Sequence, residues 1–211
     1  MAAASRVPPV DDEVVGATAR TATLGAGGTL VFERSRLRAA SDTVLRRLIG
    51  AALACAGGQA GPPRGRRLAA LITRLNTAES FVATLGGAKI VAGDQLHFVR
   101  DAGEARRGGL APLSIGAGQS AVWDGRFEII AGAAPVTVGA LAGRMKRLPK
   151  GEQILLRTMD SAIRPALPMI ESDGLPPTCP ILAKTDRART NPLVGMRFLA
   201  ACGVISKEAA T

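Results

Sequence analysis

The sequence has no tyrosine, one tryptophan (Trp123), five phenylalanines and a single histidine, His97. This scarcity of aromatics excludes RNA recognition by stacking bases on a row of exposed rings. With one histidine, a zinc site of the usual kind lacks ligands, and neither a Ser-His-Asp nor a Cys-His arrangement finds support around His97. The three cysteines, Cys55, Cys179 and Cys202, are scattered and odd in number. They make no disulfide framework and no metal-ligand spacing, so they read as small buried or semi-exposed thiols of a reducing, cytoplasmic protein. No apolar run approaches bilayer length, the longest being near Ile49–Ala56, so no membrane partner is expected. The N-terminal MAAASRVPPVDDEVV has no continuous apolar core of the secretory kind.

Phosphate-cradling loops are also missing. Gly25, Gly27 and Gly28 lie in GAGGTL, where Leu30 takes the place of the last glycine of G-x-G-x-x-G, and no G-x-x-x-x-G-K-[ST] occurs. No nucleotide cofactor site is read in this chain.

What is present in excess is positive charge. The 211 residues carry a formal net charge of +10. The charge is concentrated: Arg34, Arg36, Arg38, Arg46, Arg47, Arg64, Arg66, Arg67 and Arg74 face one acid, Asp42, whereas Asp11, Asp12 and Glu13 near the start are opposed only by Arg6. A basic block of this density suits a polyanionic partner.

Secondary structure can be placed around that block. Thr29–Arg34 (TLVFER) reads as a strand after a glycine-rich turn. Ser41 is a fitting N-cap for a helix with Leu45, Leu48, Ile49, Ala52, Leu53 and Ala56 on one stripe, ended by Gly57-Gly58. A second helix follows Pro62-Pro63, with Leu68, Leu71, Ile72 and Leu75 at i, i+3, i+4, i+7. The two should pack antiparallel across GGQAGPP. Arg64, Arg66 and Arg67 fall at the start of the second helix, where cations oppose the helix dipole; helix stability does not explain them, and a phosphate would. With Arg46, Arg47 and Arg74 they form the candidate RNA-binding set. No catalytic residue is proposed.

From Phe81 the period changes. Phe81–Leu85, Ala88–Ala92 and Gln95–Arg100 read as short strands joined by Gly86-Gly87 and Gly93-Asp94. His97 alternates toward solvent on the third. Asp101–Gly118 reads as a loop. Trp123-Asp124-Gly125 turns the chain into a strand, Arg126–Ile130, with Phe127 and Ile129 on the core face and Arg126 and Glu128 on the other. Val138–Arg147 is expected as a short amphipathic helix, Glu152–Arg157 as helical, Arg164–Ile170 as extended, Lys184–Asn191 as loop, and Pro192–Gly203 as a last helix or strand. The fold class expected is α+β. A helical segment with a basic helix pair spans residues 1–80, and a small, mostly antiparallel β-rich domain with short helices spans 81–211.

The order of these features carries a resemblance. GTLVFERSRL (Gly28–Leu37), RRLIGAALACAGG (Arg46–Gly58), PPRGRRLAALITRL (Pro62–Leu75), TLGGAKIVAGDQLHFVRD (Thr84–Asp101) and VWDGRFEI (Val122–Ile129) together resemble the C-terminal half of bacterial tRNA(Ile)-lysidine synthase. The likeness is good over roughly 25–130 and looser beyond, through ALPMI at Ala166–Ile170. The LGG hairpin followed by WDGRF is its most specific pair. The resemblance implies a PP-loop, ATP-dependent ligase that adenylates the wobble cytidine of an isoleucine tRNA and joins lysine to it. It places that chemistry in an N-terminal domain with a Ser-Gly-Gly-x-Asp-Ser loop that this sequence lacks. What it implies for this chain is tRNA binding beside a PP-loop catalytic domain supplied in cis or in trans, as a fragment, a truncated product or one half of a split enzyme. ATP is implied for the full-length family. The competing reading is a stand-alone RNA-binding or adaptor protein without ligase activity.

Overall fold

A computed structural model describes residues 12–25 and 27–206. Asp11 and Arg6 of the charge-biased N-terminus, and Ala26 within the glycine-rich turn, lie outside the described residues.

The chain opens with helix α1 (Asp12–Ala19), followed by strands β1 (Thr23–Gly25) and β2 (Thr29–Glu33). Helices α2 (Arg34–Arg38), α3 (Asp42–Ala56) and α4 (Arg66–Thr77) come next. Strands β3 (Phe81–Leu85), β4 (Ala88–Ala92), β5 (Gln95–Arg100), β6 (Leu113–Ile115), β7 (Ser120–Trp123), β8 (Phe127–Ala131) and β9 (Val136–Ala140) follow. The chain ends with α5 (Lys150–Thr158), β10 (Pro168–Glu171), β11 (Ala188–Pro192) and α6 (Val194–Ala201). The α+β class expected from the sequence holds.

Five strands form one sheet in the order β1-β2-β5-β4-β3, and two three-stranded sheets follow, β10-β9-β6 and β11-β8-β7. Every pairing among them is antiparallel. The boundaries of β3, β4 and β5 are those read from the alternation, because glycine turns set the hairpin register. Strand β2 pairs with β5, so the first sheet takes residues from both sides of position 80.

The first core lies between this sheet and the helices. Ser41 caps α3 through its Oγ, which accepts the Val44 N–H at 3.4 Å. Every residue from Leu48 to Ala56 is buried, so α3 is the central helix, with α4, α1 and α6 around it. Four leucine and isoleucine positions of α4 (68, 71, 72, 75) are its buried face, as the spacing predicted. Phe32 stands edge-on to Phe98 (5.9 Å between ring centroids) and to Phe198 of α6 (5.6 Å). The C-terminal helix therefore closes the core begun by the first strands. A second core gathers Trp123, Phe127, Ile129, Val138 and Ile170, and a third gathers Leu141, Leu148, Leu156, Leu167 and Met169.

Several expectations are overturned. Val138–Arg147 is not a helix: β9 runs to Ala140, and only Arg144–Arg147 makes a 3-10 turn. The β-branched Thr137 and Val138 are paired on both edges, by β6 and β10, and Val136 by β6, and these ladders outweigh the local periodicity. Lys184–Asn191 is not all loop, since β11 pairs with β8 from Ala188. It is an edge strand with mostly polar residues on its open side, so no hydrophobic alternation announces it. Asp101–Gly118 contains a 3-10 turn, Ala102–Arg107, and β6. Helix α1 was not anticipated.

Arg34 is the first residue of α2, not the last of a strand. Its buried guanidinium donates to the carbonyls of Leu75 (2.8 Å), Ala78 and Glu79, closing the C-terminal end of α4. Burial and the neighbouring Arg38 hold its pKa below the ordinary arginine value. Arg126, expected on the open face of its strand, is 1% exposed.

All three cysteines are free and buried. Burial pushes the Cys55 and Cys179 thiols from 9.0 to about 11 and Cys202 to about 12. A raised thiol pKa means the unfolded chain ionises first, so the stabilising effect is complete below about pH 9 and is lost as pH rises toward 11. Urea denaturation at pH 7.5 and pH 10 should show a loss of stability on going alkaline. The variant with all three cysteines changed to alanine is expected to be weaker at pH 7.5 but to lose less between the two.

Candidate nucleic-acid interface

Arg46 and Arg47 leave α3 on its solvent side. Along that side Arg47 is followed at i+4 and i+7 by Ala51 and Ala54, which makes a trough in place of a ridge. On α6, Arg197 is followed by Ala200 and Ala201 at i+3 and i+4. The connector Gln59–Gly65 passes alongside. Together these three segments enclose a groove of about 810 Å³ with Arg46, Arg47, Arg64 and Arg197 around it and alanine, proline and Leu68 on its floor. Among the described residues, no carboxylate lines it.

Of the six arginines chosen from the sequence, this groove unites Arg46, Arg47 and Arg64. Arg66 and Arg67 do not line it. They are the exposed first two residues of α4, whose cap residue Gly65 supplies no side-chain acceptor for the first-turn N–H groups. Arg64 precedes the helix and does not sit inside it. Arg74 is set apart in the last turn of α4, its guanidinium 4.4 Å from the Phe81 ring centroid, where a cation suits both ring and helix dipole. Arg47 pairs with Asp12 at 2.8 Å, both exposed, an interaction worth little in water. Arg46 and Arg64 have no ion-pair partner among the described residues. Arg197 was not anticipated. It stands 123 positions beyond Arg74, the end of the basic block, and no local charge cluster marks it.

Arg197 also links the groove to the Trp123-Asp124-Gly125 turn. It donates to the Gly125 carbonyl and, at 3.0 Å, to that of Gln59. Behind this contact is a buried charge cluster. The Asp124 carboxylate accepts from Arg100 Nη2 at 2.7 Å and Nε at 2.9 Å, and from Arg126 Nε at 2.6 Å. Arg100 continues to the Gly87 carbonyl (2.8 Å) and Arg126 to that of Ala166 (2.6 Å). Glu104 stands 4.0 Å from Arg100 as a second acid. Burial lowers the Arg126 pKa to about 10, and Asp124 counteracts the shift. The Arg126 guanidinium lies 4.9 Å from the Phe127 ring centroid. Trp123 stacks on Phe127 at 6.2 Å and donates its indole N–H to the Ala111 carbonyl at 2.8 Å. The turn is thus a structural junction, and its tryptophan is a packing anchor.

His97 is half-buried on β5 between Val31 and Val91 of the flanking strands. Among the described residues no cluster of His, Cys, Asp and Glu could hold a metal ion, and no helix is long and apolar enough to cross a membrane.

These features define an antiparallel α+β protein whose basic groove is built from one side of α3, a proline-containing connector and α6. Over 77% of its length the chain is 44% identical to the C-terminal part of the tRNA(Ile)-lysidine synthase of Caulobacter vibrioides, so the resemblance read from the sequence is borne out. The chain spans 41% of that relative's length. No protein-family model and no solved structure matches it.

Two stability outcomes follow from the junction. Asp124→Asn leaves two buried guanidinium groups short of a counter-charge and is expected to cost about 3–5 kcal/mol in urea denaturation. Gly58 has φ +67°, and a Cβ there would strike the Asp124 carbonyl oxygen, whereas Gly61 has open space. Gly58→Ala should therefore lower stability by about 2 kcal/mol or more, and Gly61→Ala should leave it nearly unchanged.

Proposed function

We propose that this chain is the tRNA-binding C-terminal portion of a tRNA(Ile)-lysidine synthase and acts in the cytoplasm. The observation that carries the reading is the basic surface at the meeting of α3, the connector and α4. Arg46 and Arg64 stand there without ion-pair partners among the described residues, and Arg66 and Arg67 occupy an uncapped first turn of α4. Guanidinium groups beside free backbone N–H groups suit phosphate oxygens. The likeness to the Caulobacter enzyme supports tRNA as the polyanion.

In this reading the ATP-dependent ligation of lysine is the work of a PP-loop catalytic domain in cis or in trans. The present chain adds affinity and orientation for the tRNA. Recognition is of phosphate backbone and shape, since no exposed aromatic row is available for stacking.

The triple variant Arg64→Ala, Arg66→Ala, Arg67→Ala tests it. Filter binding of isoleucine tRNA across a series from low to physiological salt should show affinity reduced by about ten-fold or more and a shallower dependence of log K on log salt, by roughly 0.7–0.9 per lost phosphate contact. Identical slopes and affinities for variant and parent would refute the assignment.

A further inference from the structure

The groove is not what a phosphate track alone requires. Phosphates of a duplex can be held by arginines on a flat or convex surface. Here the guanidinium groups surround a depression whose floor is apolar: Ala51, Ala54, Pro62, Pro63 and Leu68. Its volume of about 810 Å³ falls in the range of small-molecule sites, about 300–1,000 Å³. It exists because alanines sit on α3 and α6 where larger residues would close the gap, and because the connector carries Gly61, which has open space about it.

The charges around it divide into two kinds. Arg197 is committed to the Gly125 and Gln59 carbonyls and holds the wall in place. Arg46 and Arg64 are exposed, come from different segments, and have no ion-pair partner among the described residues. An apolar floor with cations at the rim that have no ion-pair partner, and a lining without carboxylates among the described residues, complement a ligand with a flat face of low polarity at one end and negative charge at the other. A nucleotide released from base pairing has that composition, whereas a paired one keeps its base inside the helix.

Resting on the RNA reading above, we propose that this groove is a pocket for one unpaired nucleotide of the bound RNA. Its base lies on the alanine-proline floor and its flanking phosphates meet Arg46 and Arg64. Without an aromatic ring the base is held by burial, so discrimination between bases is weak. The groove adds to the exposed arginines a preference for RNA with a single-stranded element next to a stem.

The test compares two RNA probes by fluorescence anisotropy with the full chain: a blunt duplex, and the same duplex extended at one end by three unpaired adenosines. The extended duplex should bind the parent chain about five-fold tighter or more, the scale of one partly buried base. Gly61→Trp puts a large side chain on the groove's lining, at a position with room for it. It should reduce that advantage to under about two-fold while the blunt duplex, held by the arginines, binds as before. Ala201→Phe at the exposed end of α6 is the second filling variant, and circular dichroism establishes that each is folded. Equal binding of both probes by the parent chain overturns the pocket and leaves backbone binding standing. Retention of the advantage in both folded variants also overturns it. If neither probe binds at low salt, the RNA reading itself fails and the pocket with it.

Discussion

The Asp124 carboxylate, buried between the guanidinium groups of Arg100 and Arg126, is the contact on which the arrangement of the molecule turns. Arg100 ends β5 of the first sheet, and Arg126 precedes β8 of the second core. One acid therefore fastens two separately built layers. The guanidinium forks then reach past it to the carbonyls of Gly87 and Ala166, so that each buried cation is satisfied by more than its ion pair. A cluster of this kind is a poor source of net stability, since desolvation offsets much of the attraction. In this docking of the layers each buried charge meets a partner.

Around this cluster three glycine turns converge. A Cβ on Gly57 would strike the Gly86 carbonyl oxygen, and one on Gly58 would strike that of Asp124. The C-terminal end of α3, the β3–β4 hairpin and the Trp123–Gly125 turn thus meet backbone to backbone. That close approach fixes where α3 ends, and hence where the connector Gln59–Gly65 leaves it. Through Arg197 the same junction reaches α6. The basic groove is consequently held by the junction beneath it, although none of the junction's three charged residues lines the groove. Trp123 stacked on Phe127 supplies the large apolar wall against which a buried charge cluster can be packed.

The elements legible from the sequence were those whose signals are local. Ser41, the stripe from Leu45 to Ala56 and the glycines after it mark α3 without reference to anything distant. The turns Gly86-Gly87 and Gly93-Asp94 set the register of β3, β4 and β5. The misread elements depend on distant partners. Strand β9 is defined by ladders to β6 and β10, and β11 by its pairing with β8; Val138–Arg147 looks helical, and Lys184–Asn191 looks like loop, when those partners are out of view. Arg126 fails for a related reason: alternation assigns a side to a residue, but only the presence of Asp124 and Phe127 makes that side habitable for a guanidinium.

The candidate interface divides in the same way. The amino-acid order by itself determined the α+β class, the concentration of arginine between residues 34 and 74, the small apolar helix faces, and the likeness to lysidine synthases through the LGG hairpin and WDGRF. These are properties of composition and short-range spacing. Only the tertiary structure decided that Arg34 closes α4 from inside, that Arg74 belongs to Phe81, and that Arg46, Arg47 and Arg64 gather around one groove with Arg197. The physical reason is that the sign of a charge is written in the residue, whereas its availability depends on which carbonyls, carboxylates and rings the fold brings within reach.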